Sequence, residues 1–450
     1  MGELEPLPED FEPLEKTDDF VSVLAVTLFT VLAITAAFST YFCMYAFRKP
    51  FSAASYEGLR FLNTSFDLKT VLVTSQIIGY ALSKMIGIKV VSEVTRRSRF
   101  RMLVGMILAA QAALFAFAVL PPSLKVVAIF FNGLPLGMVW GLVVWYLEGR
   151  KTSEMLLAGL SCSFILASGV VKDIGRWLMN VHEIDQFWMP FVTGCLFLIP
   201  FLMSAFLLNL LPEPTDNDRL ARMERSTMDG SQRWAFIRQF LPGMVMLMIA
   251  YFFLTAYRDF RDNFGVEIFE QLGYGKDEGA IFTRSELWVA FGVVGALAML
   301  NLIKNNLWGL IGAFGVMTAG VLLMGVGTLL FDEEMIDGLT WMILCGLGSY
   351  LAYVPYGSVL FERLIASTRA MGTAVFVIYV ADSIGYVGAI GVMAFKDQLA
   401  ADVSRLEFFR YLTYGMSALG VVMLVSSLLY FLICHEHKTG DVEVPDQGTQ

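Results

Sequence analysis

The chain has 450 residues, of which 56% are hydrophobic and 16% are charged. Soluble domains carry about 25% charged residues, so this chain has too few to cover a water-exposed surface, and an ordinary soluble enzyme is excluded. The net charge of −9 does not identify a partner, because much of the acidity lies in the first segment, and nothing in the sequence predicts binding to nucleic acid.

Long continuous apolar runs follow that segment. A helix needs about 20 apolar residues to cross a hydrocarbon core about 30 Å thick. Only helices and closed barrels satisfy every backbone polar group in lipid, and these runs lack the period-two alternation of barrel strands. We therefore predict an all-α membrane protein of twelve transmembrane helices in two six-helix bundles. The spans are 20–47, 68–90, 101–120, 125–148, 155–180, 187–211, 241–258, 285–303, 307–331, 339–361, 371–395 and 409–434.

The polar segments predict the domain organisation and the orientation. The densest basic cluster, Thr95–Arg101, lies in the loop after the second span, and basic loops mark the cytosolic side of a membrane. The order is then a disordered acidic cytosolic tail (1–19), an N-terminal bundle (20–211), a cytosolic linker (212–240), a C-terminal bundle (241–434) and a cytosolic tail (435–450). We expect a multi-pass protein of a bacterial inner membrane.

An internal repeat is the most informative feature. The first span ends Tyr41-Phe-Cys-Met-Tyr-Ala-Phe-Arg48, and the seventh ends Tyr251-Phe-Phe-Leu-Thr-Ala-Tyr-Arg258. Both read Tyr-Phe-x-x-x-Ala-aromatic-Arg at equivalent points of the two halves. Matching halves indicate a duplicated transporter, whose substrate binds near the membrane midplane between the repeats.

Arg48 and Arg258 can be interpreted in two ways. An arginine within a span costs at least ~2.5–3.5 kcal/mol on insertion scales. If both point into a central cavity, they form a bidentate clamp for phosphate or carboxylate. If both lie at helix ends, they extend to the headgroups and bind nothing. The matched repeat favours the clamp.

Other charges also fall within apolar runs. Lys84 lies too deep to reach the headgroups, and it either pairs with an acid or lines the anion site. Lys172 and Asp173 form an internal ion pair or seek separate partners, because neighbours on a helix point about 100° apart. Asp382 either balances Lys84 or Lys172 or carries a proton during transport.

These residues resemble the major facilitator superfamily, and within it the organophosphate:phosphate antiporters that carry glycerol phosphate and hexose phosphate. Arg48-Lys49 is similar to that family's Arg-Lys pair closing the first helix, with Tyr41 and Tyr45 at its tyrosine positions. Tyr80-x-x-Ser83-Lys84 resembles its Tyr-Gly-Phe-Ser-Lys segment, and Arg258 falls where its second phosphate-binding arginine lies. The resemblance implies exchange of an organophosphate for inorganic phosphate at these residues.

The chain departs from that family at three places. Ser168 stands in place of a family histidine. Lys172 and Asp173 fall in a stretch where the family is rich in glycine, and Asp382 stands where the family has glycine. The site is therefore charged differently, and a changed substrate or coupling ion is expected.

The predicted function is secondary active transport of a small organic anion, an organophosphate above all, by alternating access. The alternatives are a transporter-like membrane sensor of an anionic ligand and a proton-coupled carrier of a non-phosphate organic anion. No metal or nucleophile motif supports an enzyme, so neither cofactor nor metal is expected. The expected partners are the anion, inorganic phosphate as counter-substrate and membrane lipids, around a monomeric protein.

Overall fold

The structure is a computed structural model that describes residues 14–62, 64–147, 153–212, 238, 240–275, 278–368 and 374–440. Its first half contains α1 (Leu14–Arg48), α2 (Leu68–Glu93), α3 (Arg96–Val119), α4 (Pro122–Leu136), α5 (Val139–Leu147), α6 (Ser153–Asn180) and α7 (Met189–Asn209). Its second half contains α8 (Leu241–Asn263), α9 (Gly265–Gln271), α10 (Ile281–Asn301), α11 (Asn306–Asp332), α12 (Gly338–Ser358), α13 (Leu360–Thr368), α14 (Ala374–Gln398) and α15 (Arg405–Gly440).

Each of the twelve predicted spans corresponds to one helix or to two consecutive helices. Spans four and ten are the divided ones, as α4–α5 and α12–α13. Each break follows an internal proline, Pro135 in α4 and Pro355 in α12. A proline inside a helix removes one backbone hydrogen bond and clashes with the preceding turn, which explains why neither run continues as one straight helix.

The helices pack as two bundles that meet along two seams. In the first bundle α1 packs on α6 and α7, and α4 packs on α2 and α3. In the second, α8 packs on α14 and α15, and α11 packs on α12 and α15. Between the bundles, α2 contacts α14 and α6 contacts α10. We refer to these contacts as the α2–α14 seam and the α6–α10 seam.

Nine helical segments within the described residues are long and apolar enough to cross a membrane. Large apolar side chains cover their outer surfaces, as lipid contact requires; examples are Leu108, Phe131, Phe206, Trp288 and Phe291. The predicted spans outside this set are α2, α6 and α14. These three helices form the seams together with α10, and they carry Lys84, Lys172, Asp173 and Asp382.

Several predicted boundaries differ from the structure. Helix α1 begins at Leu14, within the predicted disordered tail, and α15 continues to Gly440, within the predicted C-terminal tail. Once a helix is nucleated, each further residue adds a hydrogen bond, so a helix can extend beyond its apolar core. Residues 1–13, 213–237, 239 and 441–450, which include most of the predicted linker, lie outside the described residues.

Two glycines let α2 and α4 approach closely. A Cβ on Gly79 would lie 2.3 Å from the carbonyl oxygen of Phe130, and one on Gly133 would lie 2.4 Å from that of Gln76. Small residues permit such helix contacts in membranes. The approach brings Gln76 of α2 and Asn132 of α4 together beneath the end of α1.

Candidate anion-binding site

Arg48 is the last residue of α1, but the chain stays inside the protein there. The next residues, Pro50–Ala53, form a 3-10 turn whose four side chains are buried. Gln76 donates a hydrogen bond to the Arg48 carbonyl oxygen at 2.8 Å, and Asn132 donates one to the Phe47 carbonyl oxygen at 2.9 Å. Two neutral amides therefore hold the end of α1, and Arg48 is not a headgroup-seeking residue at a membrane surface.

The Arg48 side chain is half-buried among aromatic rings. Its Cζ lies 4.0 Å from the centre of the Tyr80 ring and 5.6 Å from that of Tyr45. One terminal nitrogen lies 3.4 Å from the Tyr45 hydroxyl, while Nε is buried without a hydrogen-bond partner. Among the described residues, no carboxylate forms an ion pair with this guanidinium, so its charge remains available to a ligand.

Arg258 does not end its helix, which corrects the predicted boundary at that residue. Helix α8 continues to Asn263, and α9 follows with a largely buried side. The Arg258 Cζ lies 3.9 Å from the centre of the Tyr353 ring, and Nη2 pairs with Oδ1 of Asp259 at 2.8 Å. Arg258 thus lies inside the protein like Arg48, but a neighbouring acid partly neutralises it.

The tyrosines of the predicted site lie on the Arg48 side. The charges of both Arg48 and Arg258 act on Tyr45, which places its hydroxyl within electrostatic range of both. Tyr41 packs edge-on against Tyr45 and against Trp140, with ring centres 5.7 and 5.0 Å apart. Of the two predicted tyrosines, Tyr45 is therefore the one placed near both arginines.

Lys84 and Asp382 form an ion pair across the α2–α14 seam. Lys84 Nζ lies 2.6 Å from Oδ2 of Asp382, whose Oδ1 accepts a hydrogen bond from the Tyr251 hydroxyl at 2.5 Å. The rings of Tyr80 and Tyr386 flank the ammonium group at 5.5 and 5.4 Å. Both carboxylate oxygens of Asp382 are thus occupied, and Lys84 is the lysine that Asp382 balances in this structure.

Lys172 and Asp173 do not pair with each other. Lys172 Nζ lies 2.5 Å from Oδ1 of Asp262, which also accepts a hydrogen bond from Ser168. Asp173 instead accepts hydrogen bonds from the Thr283 amide at 2.6 Å and the Thr283 hydroxyl at 2.5 Å. It therefore caps the first turn of α10 across the α6–α10 seam.

Five charged residues at the centre are absent from the sequence-based prediction of the site: Lys49, Asp259, Arg261, Asp262 and Glu286. Asp262 is shared by Lys172 and by Lys49, whose Nζ lies 2.5 Å from Oδ2. Arg261 pairs with Glu286 at 2.8 Å. The predicted seventh span ends at Arg258, which places Arg261 and Asp262 outside the membrane, and Glu286 is the second residue of the predicted span eight.

The internal repeat indicates one of these positions, Glu286, and also relates two of the predicted site residues, Lys172 and Asp382. Glu286 follows Arg258 by the same 28 residues that separate Gln76 from Arg48. The repeat also extends to spans five and eleven, as Val170-x-Lys172-x-Ile174-Gly175 and Val380-x-Asp382-x-Ile384-Gly385. Equivalent positions of the two halves therefore carry opposite charges at the seams.

Ion pairs join the bundles on one face of the membrane-spanning body. We call the face on which α1 ends the far face. There Lys69 pairs with Glu267 at 2.7 Å, and Arg405 pairs with Asp67 at 2.6 Å. Within the described parts of the chain, every ion pair between the bundles lies at mid-depth or toward this face. The two bundles are thus held together on the far face.

Three solved structures share this architecture. A D-xylose–proton symporter matches with a TM-score of 0.59 and 13% identity, covering 88% of this chain and 96% of its own. A bacterial homologue of the human lysosomal transporter Spinster, inward-facing and unoccupied, matches with a TM-score of 0.56 and 12% identity over 93% and 99%. The nucleoside transporter NupG matches with a TM-score of 0.57 and 12% identity over 90% and 100%.

These matches confirm the predicted all-α fold in two helical bundles. Two of these neighbours are described as transporters and the third as a homologue of one. At this level of identity the likeness concerns the fold and leaves the substrate open. No protein of curated function matches the sequence significantly. Residues 50–433 match the model of a family of unknown function, DUF5690, and the chain belongs to that family.

Proposed function

We propose that this member of the DUF5690 family is a secondary active transporter that carries a small organic anion by alternating access, with Arg48 and Arg258 as its anion site. The observation that supports the proposal most strongly is the state of Arg48. Its guanidinium lies inside a membrane-spanning body, without a carboxylate partner among the described residues and with an unsatisfied Nε. A buried charge left without a counter-charge is destabilising, and an anionic ligand would remove that penalty.

The chemistry around the arginines favours an organophosphate as the anion. A guanidinium is a planar fork that matches phosphate bidentately, unlike the point charge of lysine. Tyr45 and Tyr80 pack around Arg48 and Tyr353 packs on Arg258, so each guanidinium has a fixed plane. Tyrosine hydroxyls beside these planes supply further donors to phosphate oxygens.

The seams support alternating access. Bundles of this fold rock against each other around a central site, and contacts between them must break and re-form. The far face is joined by ion pairs of Lys69 and Arg405 with acids of the opposite bundle. Such polar contacts can exchange with water when the far face opens, whereas a continuous apolar core could not.

The remaining parts of the proposal follow from the orientation and the resemblance. Basic loops favour cytosolic termini, so the far face would be the external face of a bacterial inner membrane. Inorganic phosphate is the proposed counter-substrate, exchanged by a monomer. Antiport of this kind needs no cofactor.

The test is counterflow of radiolabelled inorganic phosphate in proteoliposomes that contain the purified protein. We expect uptake of label into vesicles preloaded with unlabelled phosphate, and inhibition by particular sugar phosphates or glycerol phosphate. Absence of phosphate exchange would rule out the antiport mechanism and redirect the search to carriers of non-phosphate organic anions.

Variants test whether the two arginines form the site. Arg48→Lys and Arg258→Lys keep the charge but lose the bidentate fork, and we expect each to reduce counterflow to the level of empty vesicles. Arg363→Lys is the matched control, because Arg363 donates to Asn306 at 3.0 Å at an exposed position outside the site. Near-normal exchange by either site variant, with intact folding, would contradict the clamp.

A further inference from the structure

Glu286 has an unusual carboxylate environment. It lies on α10 in the α6–α10 seam, and its side chain is 11% exposed. Oε1 pairs with Nη1 of Arg261 at 2.8 Å, whereas Oε2 is buried without a hydrogen-bond partner. In the part of the chain that the structure describes, no other carboxylate has a buried oxygen left unpaired in this way.

Two other buried acids of the centre, Asp382 and Asp262, are saturated. Asp382 is held by Lys84 and Tyr251, and Asp262 by Ser168, Lys172 and Lys49. A proton on either acid would displace an existing donor. A proton on Oε2 of Glu286 would displace nothing, because that oxygen accepts no bond.

Charged and titratable groups face Glu286 from three neighbouring helices. The charges of Lys172 in α6 and Asp262 in α8 act on the Glu286 carboxylate, and the Glu286 charge in turn acts on Tyr350 of α12. Arg261 of α8 also donates to the Met342 carbonyl oxygen at 3.0 Å and lies 3.4 Å from the Ser285 hydroxyl. Arg261 therefore keeps an acceptor even when the Glu286 carboxyl is neutral.

We propose that Glu286 is a proton-binding site whose protonation is linked to the opening of the α6–α10 seam. An ionised carboxylate with one bare oxygen is costly in an apolar interior. When the seam is closed, a proton on Oε2 removes that charge; when the seam opens, water solvates Oε2 and the proton leaves to bulk water on that side. No covalent bond other than the O–H bond changes.

The packing links Glu286 directly to movement of α6. A Cβ on Gly169 of α6 would lie 3.0 Å from Cγ of Glu286 and 2.7 Å from the Phe282 carbonyl oxygen. Glycine at this position therefore allows α6 to close over the carboxyl group. Any separation of α6 from α10 uncovers Glu286.

The proton site couples proton binding to anion binding, a consequence that rests on the proposed function. Protonation of Glu286 removes one negative charge beside Arg261, Lys172 and Asp262, and so raises the positive potential near the arginines. A bound proton then favours a bound anion by linkage, and each ligand increases the affinity for the other. The expected mode of coupling is symport of a proton with the anion. A proton symporter also exchanges internal for external anion when anion is present on both sides, so the exchange with inorganic phosphate proposed above remains expected.

Infrared spectroscopy of the purified full-length protein tests the proton site without any ligand. We expect a carbonyl band of a buried protonated carboxyl group that disappears as the pH is raised. This band should be lost in Glu286→Gln and retained in Asp382→Asn and in Glu333→Gln, whose side chain is exposed. A band that survives in Glu286→Gln, or its absence from the wild-type protein, would overturn the proposal.

Proteoliposomes with a trapped pH-sensitive dye test the coupling. Phosphate gradients should drive proton uptake by the wild-type protein, and Glu286→Gln should lose this uptake while retaining phosphate counterflow at equal pH on both sides. Wild-type phosphate uptake without proton movement would contradict the coupling and leave the anion site standing. If phosphate is not carried at all, the proposed function fails on its own, and the infrared band still decides whether Glu286 binds a proton.

Discussion

The two bundles surround their matched arginines, Arg48 and Arg258, with different side chains. In the first, neutral side chains hold the end of α1: Gln76 donates to the Arg48 carbonyl oxygen and to Oδ1 of Asn132, both at 2.8 Å. In the second, the position 28 residues after Arg258 is Glu286, and an ion pair with Arg261 replaces the amide network. Arg48 consequently keeps its full charge, while the acids around Arg258 neutralise much of the charge of that bundle.

This difference indicates that the two bundles have different roles. A rigid, neutral framework suits a residue that must present a constant positive charge to an anion. Ion pairs suit the bundle whose charges change partners, because their strength depends on access of water. The repeat therefore places Arg48 and Arg258 at matched positions in different electrostatic surroundings, and four predictions test this interpretation.

The largest effect is expected from Asp262→Asn. This change leaves Lys49 and Lys172 without their shared carboxylate, and removal of one partner from a buried ion pair costs about 3–5 kcal/mol. We expect a clearly lower thermal midpoint and faster hydrogen exchange in the far-face segments 50–62 and 265–275. Asp332→Asn is the control, because its pair with Arg410 is partly exposed and lies within one bundle; equal effects of the two variants would contradict a junction centred on Asp262.

The next largest effect distinguishes the two arginines by binding. Arg48→Lys should weaken equilibrium binding of phosphate about 100-fold, and Arg258→Lys about 10-fold, which correspond to roughly 2.7 and 1.4 kcal/mol. The asymmetry is expected because Asp259 already offsets part of the charge of Arg258. Titration calorimetry of the purified variants measures both values. A larger loss for Arg258→Lys would reverse the assignment of the stronger anion contact.

Gln76→Glu places a glutamate in the first bundle at the position that Glu286 occupies in the second. The new carboxylate cannot donate to the Arg48 carbonyl oxygen, and an unsatisfied buried group costs about 1–3 kcal/mol. We expect lower thermal stability together with weaker phosphate binding, because the acid neutralises Arg48. Gln111→Glu is the matched control, since Gln111 donates to the Phe191 carbonyl oxygen at 3.0 Å between α3 and α7. That control should lose stability alone; unchanged phosphate affinity in Gln76→Glu would show that Arg48 needs no neutral framework.

The smallest effect is expected from Asp259→Asn, which makes the second bundle more like the first. Loss of the acid paired with Arg258 should tighten phosphate binding about fivefold, or about 1 kcal/mol. The same titration checks this result, with the exposed Glu334→Gln as a neutral control. Weaker binding would mean that Asp259 orients Arg258 more than it neutralises it.

Much of the fold is predictable from the sequence because a membrane imposes a local rule. Each span must be long and apolar in itself, so the twelve predicted spans correspond to helices with ends displaced by a few residues. The exceptions have local causes too: Pro135 and Pro355 divide spans four and ten. Extension of α8 past Arg258 could not be inferred from hydropathy, because residues 259–263 look like the start of a loop.

The site was predictable only in part. Isolated charges within apolar runs, such as Arg48, Lys84 and Asp382, stand out in the sequence because their insertion is costly. Asp262 and Glu286 do not stand out, because each lies next to a predicted boundary where charged residues are ordinary. Glu286 follows Arg258 by the same number of residues as Gln76 follows Arg48, and this spacing was the one sequence signal that indicated Glu286.

The sequence by itself determined which segments cross the membrane, that the chain is duplicated, and that two arginines occupy matched positions. Tertiary structure alone decided the partners of the charges. Lys84 pairs with Asp382, which is 298 residues away in the sequence, and Lys172 pairs with Asp262 rather than with its neighbour Asp173. Insertion into lipid depends on the composition of one helix, whereas an ion pair depends on the distance between two helices, which is set only when the bundles pack.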